Sequence, residues 1–348
     1  MAGVFLTEQL KLELFQKFSN IQTVADLASL LNWIEKNDGK LKQKIKNGQI
    51  FSNPIDSQHL HYLSKTKDVR YNHFTIEKKS GSLREIRDPD IPLKRVQRLI
   101  NCLLQVVFAP KAHYCTNGFT YGRDIVRNAK PHLHKKYVLN CDIKDFFPSI
   151  NFGRVRAVLR LSPFNLNDNK EIIANLIAGL CTYENCLPQG APTSPLLSNT
   201  VTQKLDRKLS AYCQINGIKY TRYADDLTFS SNKNYFNDAF IGDITQILLD
   251  EKFQINNAKT RLKTSMDRQQ VTGIVVNKKL NVKREFIKRV RAMLYNWEKK
   301  GLKFASSEFR KNLHSPKDKY SFVHVLTGNV AFIGKVRGKE DVIYKKLR

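Results

Sequence analysis

Two adjacent carboxylates lie between segments that the sequence predicts to be short β-strands. The stretch is Tyr220-Thr-Arg-Tyr-Ala-Asp-Asp-Leu-Thr-Phe229, and its acids are Asp225 and Asp226. Aromatic and β-branched residues on both sides favour two strands joined by a tight turn. Adjacent negative charges at the tip of a hairpin repel each other, and a divalent cation would reverse that penalty. An ordinary polar turn is the alternative, because aspartate is common in turns.

A third acid, Asp142, follows another predicted strand over residues 137–141. An acid at the point where a buried strand emerges is well placed to bind a metal. A turn that simply ends the strand explains such an aspartate equally well. On these positions alone, both interpretations stay open.

Two further segments could approach a phosphate-bearing ligand. Residues 187–199 are rich in proline, glycine and small side chains, which let a backbone come close to a ligand before a helix begins. Residues 71–79 and 83–87 predict a basic β-hairpin whose Arg84 could hold a phosphate with its forked guanidinium. The alternatives are a plain loop and a solvated edge strand protected by lysine.

The chain carries a strong positive charge. Its 348 residues include 59 Lys and Arg against 31 Asp and Glu, for a formal net charge of +28. Such an excess implies a polyanionic partner, with nucleic acid as the first candidate and an anionic membrane surface as the competitor. We find no bilayer-spanning run, no signal peptide and no CxxC or zinc-ligand spacing among the six cysteines. A reduced, cytoplasmic protein without a membrane partner is therefore expected.

Hydrophobic periodicity divides the chain into three predicted parts. Residues 1–70 predict a small helical region, with Thr23 as the N-cap of its second helix. Residues 71–276 mix strands and helices and end with a single strand predicted over residues 270–276. Residues 277–348 predict basic helices, the first with its apolar residues along one face.

The order of these signals resembles the palm of reverse transcriptases. Asp142-Ile-Lys-Asp-Phe-Phe147 resembles the first catalytic motif, Leu187-Pro-Gln-Gly190 with Ser194-Pro195 the second, and Tyr223-Ala-Asp-Asp226 the third. The resemblance implies an α+β right-hand polymerase. Fingers and a ferredoxin-like antiparallel palm would span residues 71–276, and a helical thumb residues 277–348, after the N-terminal helical region. It also implies RNA-directed DNA polymerase activity.

Two shorter motifs are similar to those of the bacterial retron branch. Asn128-Ala-Lys-Pro-His132 resembles an Asn-Ala-x-x-His signature, and Val271-Thr-Gly273 resembles a Val-Thr-Gly signature after the palm. This resemblance implies that the enzyme copies part of a cognate structured non-coding RNA, primed from a guanosine 2′-hydroxyl. The product would be branched RNA–DNA (msDNA). Association with anti-phage defence and a separate effector protein is implied as well, whereas residues 1–70 have no match.

The resemblance also assigns roles to individual positions. Asp142 and Asp225 would bridge two Mg²⁺ ions, helped by the Ile143 carbonyl, with Asp226 in a weaker or supporting position. The substrates would be dNTPs. Residues implied to surround the incoming nucleotide are Lys78, Arg84, Asp145, Phe147, Gln189, Gly190 and Lys259. Residues implied to contact RNA are Asn128, His132, Thr272, Gly273, Arg284, Lys288 and Arg291.

Some of these positions carry a more specific prediction. Phe147 matches the aromatic steric gate that excludes a ribose 2′-hydroxyl, and Phe146 is expected in the core. Lys259 matches a lysine proposed to protonate the leaving pyrophosphate, with a plain surface lysine as the alternative. Asn128 and His132 would either contact template RNA or brace their own segment.

Two other functions remain open. One is a group II intron-like or other bacterial reverse transcriptase, although we expect too little chain after residue 276 for a maturase with a nuclease or for an RNase H domain. The other is an RNA-binding scaffold that restrains an effector and whose polymerase activity is incidental.

Overall fold

The computed structural model describes residues 6–38, 53–77, 81, 83–311 and 321–348. Their contacts group them into two units. The first draws on Met1–Gly122, Ile143–Leu209 and Ile244–Ile255, and the second on Arg123–Asp142, Ser210–Asp243 and Asn256–Arg348. Each unit is described by itself.

The first unit begins with helices whose starts are capped by side chains. They are α1 (Glu8–Ser19), α2 (Val24–Asn37), α3 (Ser57–Lys65) and α4 (Ile91–Phe108). The predicted cap at Thr23 is confirmed: its hydroxyl accepts from the Asp26 amide, and the Asp26 carboxylate accepts from the Thr23 amide. This reciprocal capping box satisfies two amides that a helix start leaves unpaired.

A β-hairpin lies between α3 and α4, as the sequence predicts. Its antiparallel strands are β1 (Tyr71–Glu77) and β2 (Leu83–Pro89). The buried Gln97 of α4 donates to the Tyr71 hydroxyl (2.9 Å) and to the Leu180 carbonyl (2.8 Å). A buried amide held by two acceptors fixes the base of the hairpin to the helical body.

The next helices are α5 (Ile125–Ala129), α6 (Phe152–Arg160), α7 (Glu171–Cys181), α8 (Ser194–Val201), α9 (Gln203–Ile215) and α10 (Asp238–Asp250). The helix predicted after the proline-glycine loop is confirmed, with Pro195 in its first turn. Proline suits that position because its missing N–H would be unpaired there anyway. The boundary between the two units falls within α9 and within α10.

A four-stranded antiparallel sheet forms the centre of the second unit. Its strands are β3 (Tyr137–Asp142), β4 (Lys219–Tyr223), β5 (Asp226–Ser231) and β6 (Arg261–Thr264), in the spatial order β4-β5-β3-β6. Phe229 is fully buried, with its ring 5.4 Å from that of Phe240 on α10. The sheet is therefore held on one face by aromatic packing.

A second core joins the C-terminal helices to a short hairpin. The elements are β7 (Gln270–Val271), β8 (Ile274–Val275), α11 (Arg284–Lys311), α12 (Phe322–Arg337) and α13 (Val342–Lys345). Val271, Ile274, Val290 and Ile333 belong to one buried cluster. Gly301, with φ of 79°, breaks α11 into two helical segments.

The α+β class predicted from the sequence is confirmed, with one local error. The single strand expected over residues 270–276 is wrong. Thr272 and Gly273 have φ of 47° and 84°, so the chain turns back and forms two short strands. The proposed division at residues 70 and 276 into N-terminal region, fingers with palm, and thumb stays a prediction.

Two general features bear on the environment of the protein. Within the described ranges, the helices are too short or too polar to cross a membrane. All six cysteines are free thiols, and five of them are buried.

Two glycines on α12 give a matched test of how α13 is held. A Cβ on Gly334 would lie 2.7 Å from the Tyr344 Cζ atom of α13, whereas one on Gly328 would have no neighbour within 4 Å. We expect Gly334→Ala to displace the Tyr344 ring and lower the free energy of unfolding by about 1–3 kcal/mol. Gly328→Ala should stabilise α12 by up to about 1 kcal/mol. Urea denaturation of both variants checks this, and equal stabilisation by the two would contradict the packing described.

Candidate active site

Strand pairing brings the three predicted acids to one end of the sheet in the second unit. Asp142 ends β3 and lies directly opposite Asp226, the first residue of β5. Tyr223 also pairs with Asp226, which leaves Ala224 and Asp225 as a two-residue turn between β4 and β5. Residues directly opposite in an antiparallel pair have Cα atoms about 4.5–5.5 Å apart. The carboxylates of Asp142, Asp225 and Asp226 therefore share one small region.

The electrostatics of Asp226 reflect this crowding. Loss of surrounding water, together with the negative charges of Asp225 and Asp142, raises the pKa of Asp226 to about 6, and the ammonium of Lys259 opposes the rise. Asp226 nevertheless keeps an exposed side. Repulsion by the neighbouring charges therefore contributes to the rise alongside the loss of water. The site resists carrying three negative charges unless a cation is near.

A cation of the chain itself already contacts Asp142. Lys259 Nζ lies 2.9 and 3.0 Å from the two carboxylate oxygens, and Asn256 Nδ2 donates to one of them at 3.1 Å. The backbone amide of Asn256 also donates to the backbone carbonyl of Asp142 at 2.8 Å. The Lys259 side chain is 60% exposed and that of Asp142 only 11%. Lys259 is thus a solvent-exposed partner on a largely buried carboxylate.

These residues fit a magnesium site that substrate completes. Among the residues with described positions, no three His, Cys, Asp or Glu side chains are arranged to hold a metal by themselves. Mg²⁺ does not require such a cage, because it binds through one or two carboxylates together with substrate phosphates and water. The acids repel one another, and a lysine ammonium lies on Asp142. Both observations indicate a place that favours positive charge.

The predicted nucleotide-contacting loop packs on the hairpin of the first unit. The Arg87 amide of β2 donates to the Gln189 carbonyl at 2.8 Å. Gly190 has φ of 133°, and a Cβ there would lie 2.7 Å from the Arg87 carbonyl oxygen. Only glycine allows this approach. Arg84 lies on β2 with its side chain exposed, whereas Lys78 falls outside the described residues.

The residues after Asp142 also belong to the first unit. Asp145 is exposed with φ of 46°, and its carbonyl accepts from the Ser149 amide at 2.8 Å. Phe146 is buried, with its ring 6.0 Å from that of Phe253, so its predicted core position is confirmed. Phe147 is only half-buried. Ile143 is buried and forms a bridge with Ile255.

The Asn128–His132 segment joins the sheet to the short C-terminal hairpin. His132 is fully buried, with Nδ1 2.7 Å from Ser230 Oγ and Nε2 2.8 Å from Thr221 Oγ1. Burial lowers the pKa of His132 to about 3, so the ring is neutral at pH 7. The buried Asn128 donates to the Thr272 hydroxyl at 3.5 Å. These contacts support the bracing role, and RNA contact by Asn128 or His132 stays a prediction.

The predicted RNA-contacting residues of α11 lie on its solvent side. Arg284, Lys288 and Arg291 are exposed and spaced i, i+4 and i+7, which places them on one helix face. Ile287 and Val290, between them in sequence, are buried. Gly273 is exposed and Thr272 half-buried at the turn between β7 and β8.

Two residues of the site were not predicted from the sequence. Asn256, which donates twice to Asp142, carries no recognisable motif of its own. Arg222 of β4 is fully buried next to the acidic turn. A basic residue between the β-favouring Thr221 and Tyr223 was the available signal.

Comparison with known proteins agrees with this geometry. The family described as reverse transcriptase (RNA-dependent DNA polymerase) matches residues 76–304. The retron Ec86 reverse transcriptase of Escherichia coli is 34% identical over 247 residues, covering 70% of this chain and 74% of the relative. The retron Mx65 enzyme of Myxococcus xanthus is 36% identical over 258 residues, covering 68% of this chain and 58% of the relative. The retron Mx162 enzyme of the same organism is 33% identical over 288 residues, with coverage of 74% and 58%.

A solved structure extends the likeness to the fold. Telomerase from Candida albicans, in complex with a fragment of telomeric RNA, aligns with a TM-score of 0.51 at 10% identity. The alignment covers 89% of this chain and 67% of the telomerase chain. At that identity, the likeness concerns the fold alone. With the family match over most of the chain and the acids at the end of the sheet, this chain belongs to the bacterial retron reverse transcriptases, which are RNA-directed DNA polymerases with an α+β polymerase fold.

Proposed function

We propose that this enzyme copies part of a cognate structured non-coding RNA into single-stranded DNA. Synthesis would begin at the 2′-hydroxyl of a guanosine in that RNA and leave branched RNA–DNA (msDNA). The observation that carries the proposal is the grouping of Asp142, Asp225 and Asp226 at one sheet end in a chain related to retron enzymes. A role in anti-phage defence with a separate effector protein is part of the same proposal.

Asp142 and Asp225 would hold two Mg²⁺ ions, with the Ile143 carbonyl assisting and Asp226 in a supporting position. When bound, such ions would stabilise the attacking and leaving oxygens of an in-line displacement. Lys259 would keep Asp142 paired beforehand and release it as the site fills. Because Lys259 is exposed, its ammonium would then be free to give a proton to the departing pyrophosphate.

The incoming dNTP would meet residues of the first unit. Gln189 and Gly190 would pack on its base and sugar, from a loop that the Arg87–Gln189 hydrogen bond holds on β2. Arg84 would donate to the triphosphate from its exposed position on β2, with Lys78 nearby in sequence. The backbone at Asp145 would contact phosphate oxygens.

Phe147 would act as the gate that selects deoxyribonucleotides. The ring is half-buried and lies 6.3 Å from that of Phe119, so it is fixed on one side and open on the other. Phe147→Ala should admit ribonucleotides in primer extension, whereas Phe146→Ala should instead lower stability because that ring is in the core. Unchanged sugar selectivity in Phe147→Ala would exclude the gate.

The C-terminal helices would bind the RNA stem and its product duplex as a thumb over residues 277–348. Arg284, Lys288 and Arg291 present three cations on one exposed face, which suits phosphate contacts along a helical backbone. Thr272 and Gly273 would approach RNA from the adjoining turn.

The proposed function predicts a branched DNA product that depends on the acids. Cells carrying the gene with its flanking DNA should contain a short single-stranded DNA whose gel mobility shifts after debranching. Asp142→Asn and Asp225→Ala should each abolish it, because neither variant can hold both cations. Asp68→Asn changes an exposed aspartate outside the site and should leave the product unchanged.

Three other outcomes would each contradict part of this proposal. DNA synthesis that persists in both acid variants would refute the metal assignment. DNA that does not respond to debranching would favour another kind of bacterial reverse transcriptase. Tight RNA binding by the unaltered protein without any DNA product would favour the RNA-binding scaffold.

The bracing role of His132 predicts a pH dependence of stability. The unfolded chain takes up a proton on this residue below pH 6.5, whereas the folded chain resists protonation until about pH 3. Stability contributed by neutral His132 is therefore present above pH 6.5 and is lost as pH falls from 6.5 toward 3. Relative to His132→Gln, the unaltered protein should lose about 2–3 kcal/mol between pH 7.5 and 4.5. Urea denaturation at the two pH values measures this, and a constant difference would contradict neutral burial.

A further inference from the structure

Arg222 occupies an unusual place for a charged side chain. It lies on β4, two residues before Ala224 and three before Asp225, and has no exposed surface. It is the largest of the fully buried side chains in the described residues. Its Nη1 atom donates to the Ala224 carbonyl at 2.9 Å.

Burial of a guanidinium is costly, and it cannot be relieved by loss of the proton. Removing an ionised group from water costs several kcal/mol unless hydrogen bonds and opposite charges compensate. Packing alone would be met by an apolar side chain of similar volume. The position therefore indicates a role for the hydrogen bonds that the guanidinium donates.

The acceptor of one such bond is the turn that carries Asp225. Ala224 has φ of 57°, in the left-handed region that a residue with a Cβ enters only at a cost of about 1–2 kcal/mol. Such a conformation persists when its surroundings fix it. Pairing of Tyr223 with Asp226 fixes the two ends of the turn, and the Arg222 bond fixes the carbonyl in its middle.

That carbonyl belongs to the peptide group joining Ala224 to Asp225. A peptide group is planar, so its carbonyl direction sets the direction in which the Asp225 Cα and side chain leave the turn. Rotation of this one peptide would move the Asp225 carboxylate while leaving the paired strands in place.

We propose that Arg222 is a positioning residue that holds the Ala224–Asp225 peptide so that the Asp225 carboxylate is oriented before a divalent cation binds. The inference rests on the proposed role of Asp225 as a metal ligand. Arg222 itself contacts neither cation nor substrate in this account. Its effect passes through the turn, as second-layer residues around metal sites act through the ligands they orient.

Electron paramagnetic resonance can follow Mn²⁺ binding to the 348-residue chain without nucleotide. This readout does not depend on activity. Arg222→Met keeps the length and removes every donor, and we expect its Mn²⁺ dissociation constant to rise about 10-fold or more. The half-saturating Mg²⁺ concentration in primer extension should rise in parallel. Arg222→Lys keeps a charged donor. Its Mn²⁺ dissociation constant should lie between those of the unaltered protein and Arg222→Met.

Arg154→Met is the matched control. Arg154 donates to the carbonyls of Ser149, Glu251 and Lys252, all of which belong to the first unit. Its loss should lower the melting temperature without changing Mn²⁺ binding. If Arg222→Met behaves in the same way, with lower stability and unaltered Mn²⁺ affinity, Arg222 is only structural and the inference is wrong.

Two further comparisons keep the result decisive. If Arg222→Met does not fold, Arg222→Lys decides: weaker Mn²⁺ binding supports the inference, and unchanged binding overturns it. Asp225→Ala, tested in parallel, separates the two proposals. Unchanged Mn²⁺ binding in Asp225→Ala would overturn the metal assignment itself, whereas weaker binding there with unchanged binding in both Arg222 variants would overturn only the role of Arg222.

Discussion

Repulsion among three carboxylates at one end of a sheet is the constraint around which this structure is organised. The register of β3 and β5 sets Asp142 opposite Asp226, and the turn before β5 adds Asp225. Like charges directly opposite each other on paired strands are destabilising. Loss of surrounding water raises the pKa of Asp226, and the charges of Asp225 and Asp142 raise it further. Lys259 and Asn256 offset part of this repulsion at Asp142. If these acids hold metal as proposed, a divalent cation would offset it more completely.

The surroundings of the acids are built to withstand this repulsion. Hydrophobic packing at Phe229 holds the face of the sheet, while His132 links β4 and β5 through Thr221 and Ser230. A neutral histidine adds these bonds without adding a charge. Arg222 supports the turn by donating a hydrogen bond to the Ala224 carbonyl. Each device fixes backbone near the acids, so the carboxylates stay together even before a cation arrives.

Much of this site could be predicted because it depends on local patterns. The acids, the Gly190 loop and the β1–β2 hairpin are each encoded within a few consecutive residues, and their order resembles a known family. The contacts of Asn256, Arg222 and His132 could not be predicted. They arise from side-chain contacts between segments about 90 to 115 residues apart or from burial that periodicity does not reveal. The strand predicted over residues 270–276 failed for a local reason: Thr272 adopts a positive φ that β-branched residues rarely have.

Metal binding by Asp142 and Asp225 is tested most directly by locating the ions in the working enzyme. Crystals of the protein with its RNA, a non-hydrolysable deoxynucleotide and Mn²⁺ would show the ions by anomalous scattering. We expect two peaks in coordination contact with carboxylate oxygens of Asp142 and Asp225, and Lys259 Nζ displaced from Asp142. Peaks bound elsewhere, or Lys259 still paired with both Asp142 oxygens while nucleotide is bound, would contradict it.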